Sequence, residues 1–368
     1  MTNIHRERVG RAQESLKQRG LDYLFLSISP DLVYLTGYEG HVSERLHMLV
    51  VPPDGRPTIV FPQFEVDMVE HLGDWMEVVG WSETEDPVAV VRDALSRRDR
   101  ERSIQVAISD HTRAVSLLRL QDALPDARFS PASEMLAPMR RVKDEVELRI
   151  LKEAQDMAAQ ALERLFALPF SGRTEKQVAA SLGAICDELG YETGFGAHVG
   201  SGSNGAMPHL GPGDRVIGEG DAVVIDFWGT HSGYYSDCTR TVHVGEPSDK
   251  FREVYGVVLE ANRAALAATR PGVTCESIDR AARRVITQAG YGEYFTHRVG
   301  HGIGIDIHEE PWMVEGNQLP LEPGMTFTDE PGIYLPGQFG CRIEDVIAVA
   351  EIGGIALTDF TYDIIVVA

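Results

Sequence analysis

Residues 171–202 of this chain recur at residues 271–302. A shift of 100 positions, with no gap, places Gly172, Thr174, Gly190, Tyr191, Phe195, Val199, Gly200 and Gly202 on Gly272, Thr274, Gly290, Tyr291, Phe295, Val299, Gly300 and Gly302. Eight identities in 32 positions exceed the roughly two that average residue usage would supply. The echo continues with small changes of offset: His209-Leu210-Gly211-Pro212 answers His308-Glu309-Glu310-Pro311, and the apolar run Ala222–Asp226 answers Met325–Glu330. Asp226 and Glu330 thereby each stand six residues after a glycine, Gly220 and Gly324. A duplicated unit of this size predicts two pseudo-symmetric halves, each a helix pair followed by antiparallel strands, facing each other across one site. In the first half a helical pattern covers Lys143–Leu168, and a second helix starts after Gly172 and Thr174 and stops at Gly190.

The duplication occupies only the later part of the 368 residues. Seven of the 36 glycines lie before residue 151, and the composition shifts near the charged stretch Arg140–Glu147. Residues 1–140 alternate short apolar runs (Tyr23–Leu26, His47–Val51, Thr58–Phe61, Ile104–Ile108) with helical patterns (Glu7–Arg19, Val88–Arg97, Thr112–Gln121). The expected architecture is therefore α/β (α+β overall): a small α/β domain over 1–140 and the duplicated domain over 141–368.

Charge narrows the partners. A net −22 repels phosphate backbones and anionic lipid surfaces, so neither nucleic acid nor membrane is expected as a partner. No apolar run approaches the roughly 18 residues of a membrane span, and residues 1–20 lack the apolar core of a secretory signal. Cys186, Cys238, Cys275 and Cys341 show no C-x-x-C spacing, which fits a reducing, cytoplasmic compartment.

The chemistry gathers in the duplicated part. Asp226 ends the apolar run Ala222–Phe227, and the hairpin-like Gly233-Tyr234-Tyr235-Ser236-Asp237 brings back a second acid 11 residues later, a separation that lets two neighbouring antiparallel strands aim both carboxylates at one spot. The second half offers His301 within Gly300-His301-Gly302-Ile303-Gly304, Glu330 and Glu344. A strand-end acid is by itself most often a cap, and a lone Gly-His-Gly-Ile-Gly fails the nucleotide fingerprint. Together, four buried acids and one imidazole would repel one another without cations. Two divalent metals resolve that repulsion and lower the pKa of a water they share.

This set resembles the metallopeptidase family that contains methionine aminopeptidase, aminopeptidase P and prolidase, with the pita-bread fold. Asp226, Asp237, His301, Glu330 and Glu344 stand in the family's five-ligand order, with steps of 11, 64, 29 and 14 residues. Around them lie Pro208-His209, Ser236-Asp237-Cys238-Thr239-Arg240-Thr241, Ile307-His308-Glu309-Glu310-Pro311 and Glu330-Pro331-Gly332-Ile333-Tyr334. The resemblance implies that Asp226 binds one metal, that Asp237 and Glu344 bridge, and that His301 and Glu330 complete the second ion. It also implies that Glu330 carries a proton and that His209 and His308 contact the scissile carbonyl. Leu32-Val33-Tyr34-Leu35-Thr36-Gly37-Tyr38 resembles the creatinase-like N-terminal domain of the Xaa-Pro-cleaving branch, which implies a homodimer whose partner loops reach the pocket.

Further contacts are less determined. His41 and Arg45, in the segment Glu39–Arg45, are either substrate contacts or ordinary groups of a solvated loop. His243 and His297 are either substrate contacts or supporting hydrogen-bonding groups. Arg240 and Arg342 are counter-charges to the ligands or structural ion pairs. Many dipeptidases of the family carry an arginine just after the His-Glu-x-Pro motif to hold a dipeptide's carboxylate; here Pro311 is followed by Trp312, expected as an apolar wall for the proline ring. Four carboxylates, one imidazole and no thiolate favour Mn²⁺, with Co²⁺, Fe²⁺ and Zn²⁺ as alternatives. The implied activity is hydrolysis of the bond between an N-terminal residue and proline in short peptides. An Xaa-Pro dipeptidase is preferred over an aminopeptidase P acting on longer chains. A creatinase-like amide hydrolase would not use the five ligands, and a non-catalytic binding protein would typically have lost some.

Overall fold

The computed structural model describes residues 2–192 and 195–368. Two compact units divide the chain, Met1–Arg140 and Arg141–Ala368.

In the first unit a six-stranded sheet has the order Glu77–Trp81, Thr58–Pro62, Met48–Val51, Tyr23–Leu26, Gln105–Ile108, Arg128–Pro131. Tyr23–Leu26 pairs antiparallel with Met48–Val51 and parallel with Gln105–Ile108, so the sheet is mixed. All four apolar runs of the sequence are strands here, and Phe25, Met48, Val60 and Val106 are fully buried among them. The two strands without such a run, Glu77–Trp81 and Arg128–Pro131, are the sheet's edges, where half-exposed side chains replace a continuous apolar stretch. Helices Thr2–Arg19, Pro87–Asp93 and Ala114–Ala123 overlap the expected helical patterns.

The second unit contains the duplication as architecture. Its first half has helices Glu145–Phe166 and Glu175–Leu189, each opened by a capping box: Asp144 with Glu147, and Thr174 with Gln177. Reciprocal bonds of this kind satisfy two of the N–H groups that a helix start leaves unpaired. Gly190, at φ 88°, ends the second helix in the left-handed region that a side chain would disfavour. The second half repeats the pair as Asp249–Ala268 and Cys275–Gln288, with Gly290 at φ 87°.

Each helix pair covers one sheet. Strands Val366–Val367, Tyr234–Val244, Ala222–His231 and Gly196–Ser201 form the first sheet in that order. Strands Glu309–Met313, Gly300–Gly302, Thr326–Asp329, Asp345–Ala350 and Gly353–Ala356 form the second. Two separate cores result, one around Leu162, Phe170, Leu182, Ile225 and Phe227, the other around Val258, Ile278, Ile286, Phe327 and Ile347. An antiparallel bridge between Thr239 and Glu344 connects the first sheet to the second. The hairpin Gly332–Leu335/Phe339–Arg342 lies between Glu330 and Glu344 in sequence, as the outer part of the Ala222–His231/Tyr234–Val244 hairpin lies between Asp226 and Asp237. Among the described residues no helix is long and apolar enough to cross a membrane.

Candidate metal centre

Strand register aims the acids. Asp226 sits opposite Thr239, and Asp237 opposite Trp228, in the antiparallel ladder. Opposed residues share a face, so both carboxylates project from the same side as diagonal neighbours about 7–8 Å apart at the backbone. Glu344 arrives from the other half through the Thr239 bridge: its N–H donates to the Thr239 carbonyl at 3.1 Å, and its carboxylate accepts the Thr239 hydroxyl at 2.5 Å.

The glycines flanking His301 are there for close approach. A Cβ on Gly300 would stand 1.7 Å from the Thr328 carbonyl oxygen, and one on Gly302 would stand 2.2 Å from that of Glu310. Packed this tightly, His301 donates its backbone N–H to the Thr328 hydroxyl at 3.0 Å. Its Nδ1 lies 3.0 Å from the Gly302 carbonyl oxygen, which holds the ring proton there. The Nε2 lone pair is left facing Glu330 Oε1 at 3.4 Å and Asp237 Oδ2 at 3.7 Å. Burial, and then the neighbouring His308, pull the His301 pKa down to about 3, so the imidazole is neutral and able to ligate.

The acids show the opposite strain. Burial and the surrounding carboxylates hold Asp237 and Glu344 well above the usual carboxylate range. Burial pushes Glu330 up to about 7, against the pull of Arg342. One cation is built in: Arg342 donates from Nη2 to Asp226 Oδ2 at 2.6 Å, from Nη1 to the Tyr334 hydroxyl at 2.9 Å and from Nε to Thr239 Oγ1 at 3.1 Å. One guanidinium among four acids leaves negative charge uncompensated. Ligand atoms of Asp237, His301 and Glu344 all lie within 4.8 Å of one another. This donor set, hard oxygens with one neutral imidazole, fits divalent cations.

A cleft of about 430 Å³ opens over these residues, large enough for a short peptide. His209 and His308 line it, as do Asp226, Asp237, His301, Glu330 and Glu344. The His308 ring meets that of His301 edge to face at 4.3 Å, and burial lowers its pKa.

Other expected residues lie elsewhere. His243 is outside the cleft lining: it is buried six residues beyond Asp237 on the same strand, with Nδ1 2.9 Å from the Gly245 carbonyl oxygen and its ring on Phe251. Six extended residues carry it about 20 Å from Asp237. Trp312 is not in the cleft lining; its indole lies beneath the Arg298 guanidinium, 4.4 Å away. Arg45, in the first unit, pairs with Glu83 at 2.8 Å and Glu44 at 2.7 Å over the Phe64 ring, and His41 is exposed.

The sequence reading missed Arg298 and Trp228 as wall residues and left His297 undecided; His198 lines the cleft as well. His297 donates or accepts at the Tyr334 hydroxyl, 2.8 Å away, bracing the tyrosine that also holds Arg342. The His198 ring lies 5.2 Å from that of Trp228 and 6.1 Å from that of His209. A signal for Arg298 was present in the duplication: the shift of 100 that aligns the two halves places it on His198, and both line the cleft.

Known proteins share this architecture. The model of Metallopeptidase family M24 matches residues 149–351, and that of the Creatinase/Prolidase N-terminal domain matches residues 8–142. The chain is 40% identical to the "Probable dipeptidase PepE" of Mycobacterium bovis over 99% of its own length and 97% of that protein's. It is 37% identical to the "Xaa-Pro dipeptidase" of Lactobacillus helveticus, over 93% and 94%. The solved prolidase of Thermococcus sibiricus superposes with a TM-score of 0.94 at 34% identity, covering 98% of this chain and 99% of that one. With its duplicated pita-bread unit, its converging acids and its creatinase-type N-terminal domain, the chain belongs to metallopeptidase family M24.

Proposed function

We propose that this metallopeptidase hydrolyses the bond between an N-terminal residue and proline in short peptides, with Xaa-Pro dipeptides as its preferred substrates. The observation that carries this reading is the convergence of Asp226, Asp237, His301, Glu330 and Glu344 on one cleft with His209 and His308 in its wall; the names of the relatives supply the proline specificity. Asp226, Asp237 and Glu344, with His301 and Glu330, hold two divalent cations, of which Mn²⁺ suits the hard donors best and Co²⁺, Fe²⁺ or Zn²⁺ are alternatives. When bound, the cations supply Lewis acidity to the scissile carbonyl and acidify a water.

The chain's own groups do the rest. Glu330 takes a proton from the attacking water at a carboxylate oxygen and returns it to the proline nitrogen, which leaves as a secondary amine. His209 and His308 donate N–H groups to the carbonyl oxygen as negative charge develops on it. Residues 1–140 act as the creatinase-like domain that makes dimer contacts, and 141–368 as the catalytic domain. A cytoplasmic setting fits the four cysteines, all buried and unpaired.

The test is a ranked assay with Ala-Pro, Met-Pro and Arg-Pro-Pro, with added Mn²⁺ and after chelation. Turnover of the dipeptides, lost on chelation and restored by metal, is the expected result. Cleavage of the tripeptide without the dipeptides would transfer the protein to the aminopeptidase P reading, and activity indifferent to chelator would refute the metal mechanism. His308→Ala is expected to lower kcat about 10²–10³-fold, the range for one oxyanion donor, while bound metal measured by atomic emission stays at the wild-type level. Metal loss in that variant would make His308 a ligand instead.

A further inference from the structure

The cleft wall contains two arginines, Arg298 and Arg342. Arg342 is fully engaged by Asp226, Tyr334 and Thr239. Arg298 makes no ion pair or side-chain hydrogen bond with the described residues; its guanidinium rests only on the Trp312 indole at 4.4 Å. Burial lowers its pKa, with Glu330 acting in the opposite direction, yet an arginine remains a cation at any physiological pH. A half-buried cation with no anion is costly to hold. Stacking on an indole fixes the guanidinium plane while leaving the N–H donors at its rim free, the arrangement that receives a planar carboxylate through two parallel bonds.

The location selects which carboxylate. Arg298 precedes His301 by three residues, and Trp312, its platform, is the cross-strand partner of His301. Its charge is felt at His301, His308 and Glu330. The His308 ring meets the His301 ring at 4.3 Å, so the Trp312-borne guanidinium and His308 both neighbour His301. A dipeptide whose scissile carbonyl meets His308 ends one residue later. The tryptophan supports the cation from the neighbouring strand.

Resting on the dipeptidase reading above, we propose that Arg298, stacked on Trp312, receives the C-terminal carboxylate of the substrate and makes the cleft selective for two-residue peptides.

Two measurements on the metal-loaded protein test this. In the first, kcat/KM is determined for Ala-Pro and for Ala-Pro amide, which lacks the anion. Wild type is expected to favour the acid about 10²-fold, in line with charge-assisted hydrogen bonds. Arg298→Met is expected to lose about 10²-fold on Ala-Pro, mostly in KM, and at least tenfold less on the amide; Arg298→Lys recovers part of the loss. In the second, calorimetry compares L-proline with L-prolinamide, which reads the carboxylate site without turnover. Wild type should bind proline at least tenfold more tightly, and Arg298→Met should erase the difference. Equal losses on acid and amide, or no discrimination in the calorimetry, overturn the proposal. If no Xaa-Pro peptide is cleaved while calorimetry still shows the Arg298-dependent preference, it is the dipeptidase reading that fails and the carboxylate site that stands.

Discussion

Asp237→Asn should abolish turnover, by on the order of 10³-fold or more, without unfolding the protein. Asp237, His301 and Glu344 bring their ligand atoms within 4.8 Å of one another, so an amide in place of the acid removes a charged ligand from the shared centre and several kcal/mol of transition-state stabilisation with it. The effect on the metal-free fold has the opposite sign. Asp237 is buried among Glu344, Asp226 and Glu330, which together with burial raise its pKa. An acid raised in the folded state costs stability above its unfolded pKa of about 4, and that cost is relieved as pH falls through the folded value. Neutralising it should leave the chelated variant at least as resistant to urea as chelated wild type at pH 7. Wild type alone should gain strongly from added Mn²⁺. Near-normal turnover in the variant would remove Asp237 from the ligand set.

The second large effect concerns stability. Arg240 and Asp345 form an ion pair at 2.8 Å, each about 1% exposed. Arg240 also donates from Nη1 to the carbonyl oxygens of Glu344 at 2.7 Å and Thr239 at 3.0 Å, and so ties the two sheets together where they meet. Asp329, equally buried, has no hydrogen-bond partner among the described residues for either carboxylate oxygen, and burial, then Asp345, holds its pKa well above the usual carboxylate range. Arg240→Met would leave Asp345, among the described residues, with Tyr362 and Asn262 as side-chain donors. The expected loss is about 3–5 kcal/mol, the cost of a buried charge without its partner, read as a lower urea midpoint at unchanged slope. Adding Asp345→Asn to that variant should recover the greater part, since the pair is coupled. A single-variant loss below about 1 kcal/mol would mean that the pair contributes no net stability. Because Arg240 holds the Glu344 backbone, activity should fall in the single variant even where it remains folded.

Much of the centre was legible before any coordinates. Capping residues act within one turn of chain, so Thr174 and Gly190 marked a helix that does run Glu175–Leu189. The five candidate ligands could be picked out because each acid or imidazole lies in its own short motif resembling the family's, and the duplication announced that two such motif sets would face one another. The edge strands Glu77–Trp81 and Arg128–Pro131 escaped because half-exposed strands carry no apolar run. The sequence left His243 open because nearness along an extended strand means distance in space.

By itself, then, the sequence determined the duplication, the helix boundaries and the five candidate ligands, all of which depend on local periodicity and on residue types at short spacing. Only the tertiary structure decided how the wall of the cleft is made. Arg298 and Trp312 are 14 residues apart, and the strand register that sets Trp312 opposite His301 brings the indole under the guanidinium. Arg342 and Asp226, 116 residues apart, meet because strands from both halves converge there. Which arginine is spent on a ligand acid and which is left facing the substrate is a consequence of long-range pairing, and no local pattern of residues encodes it.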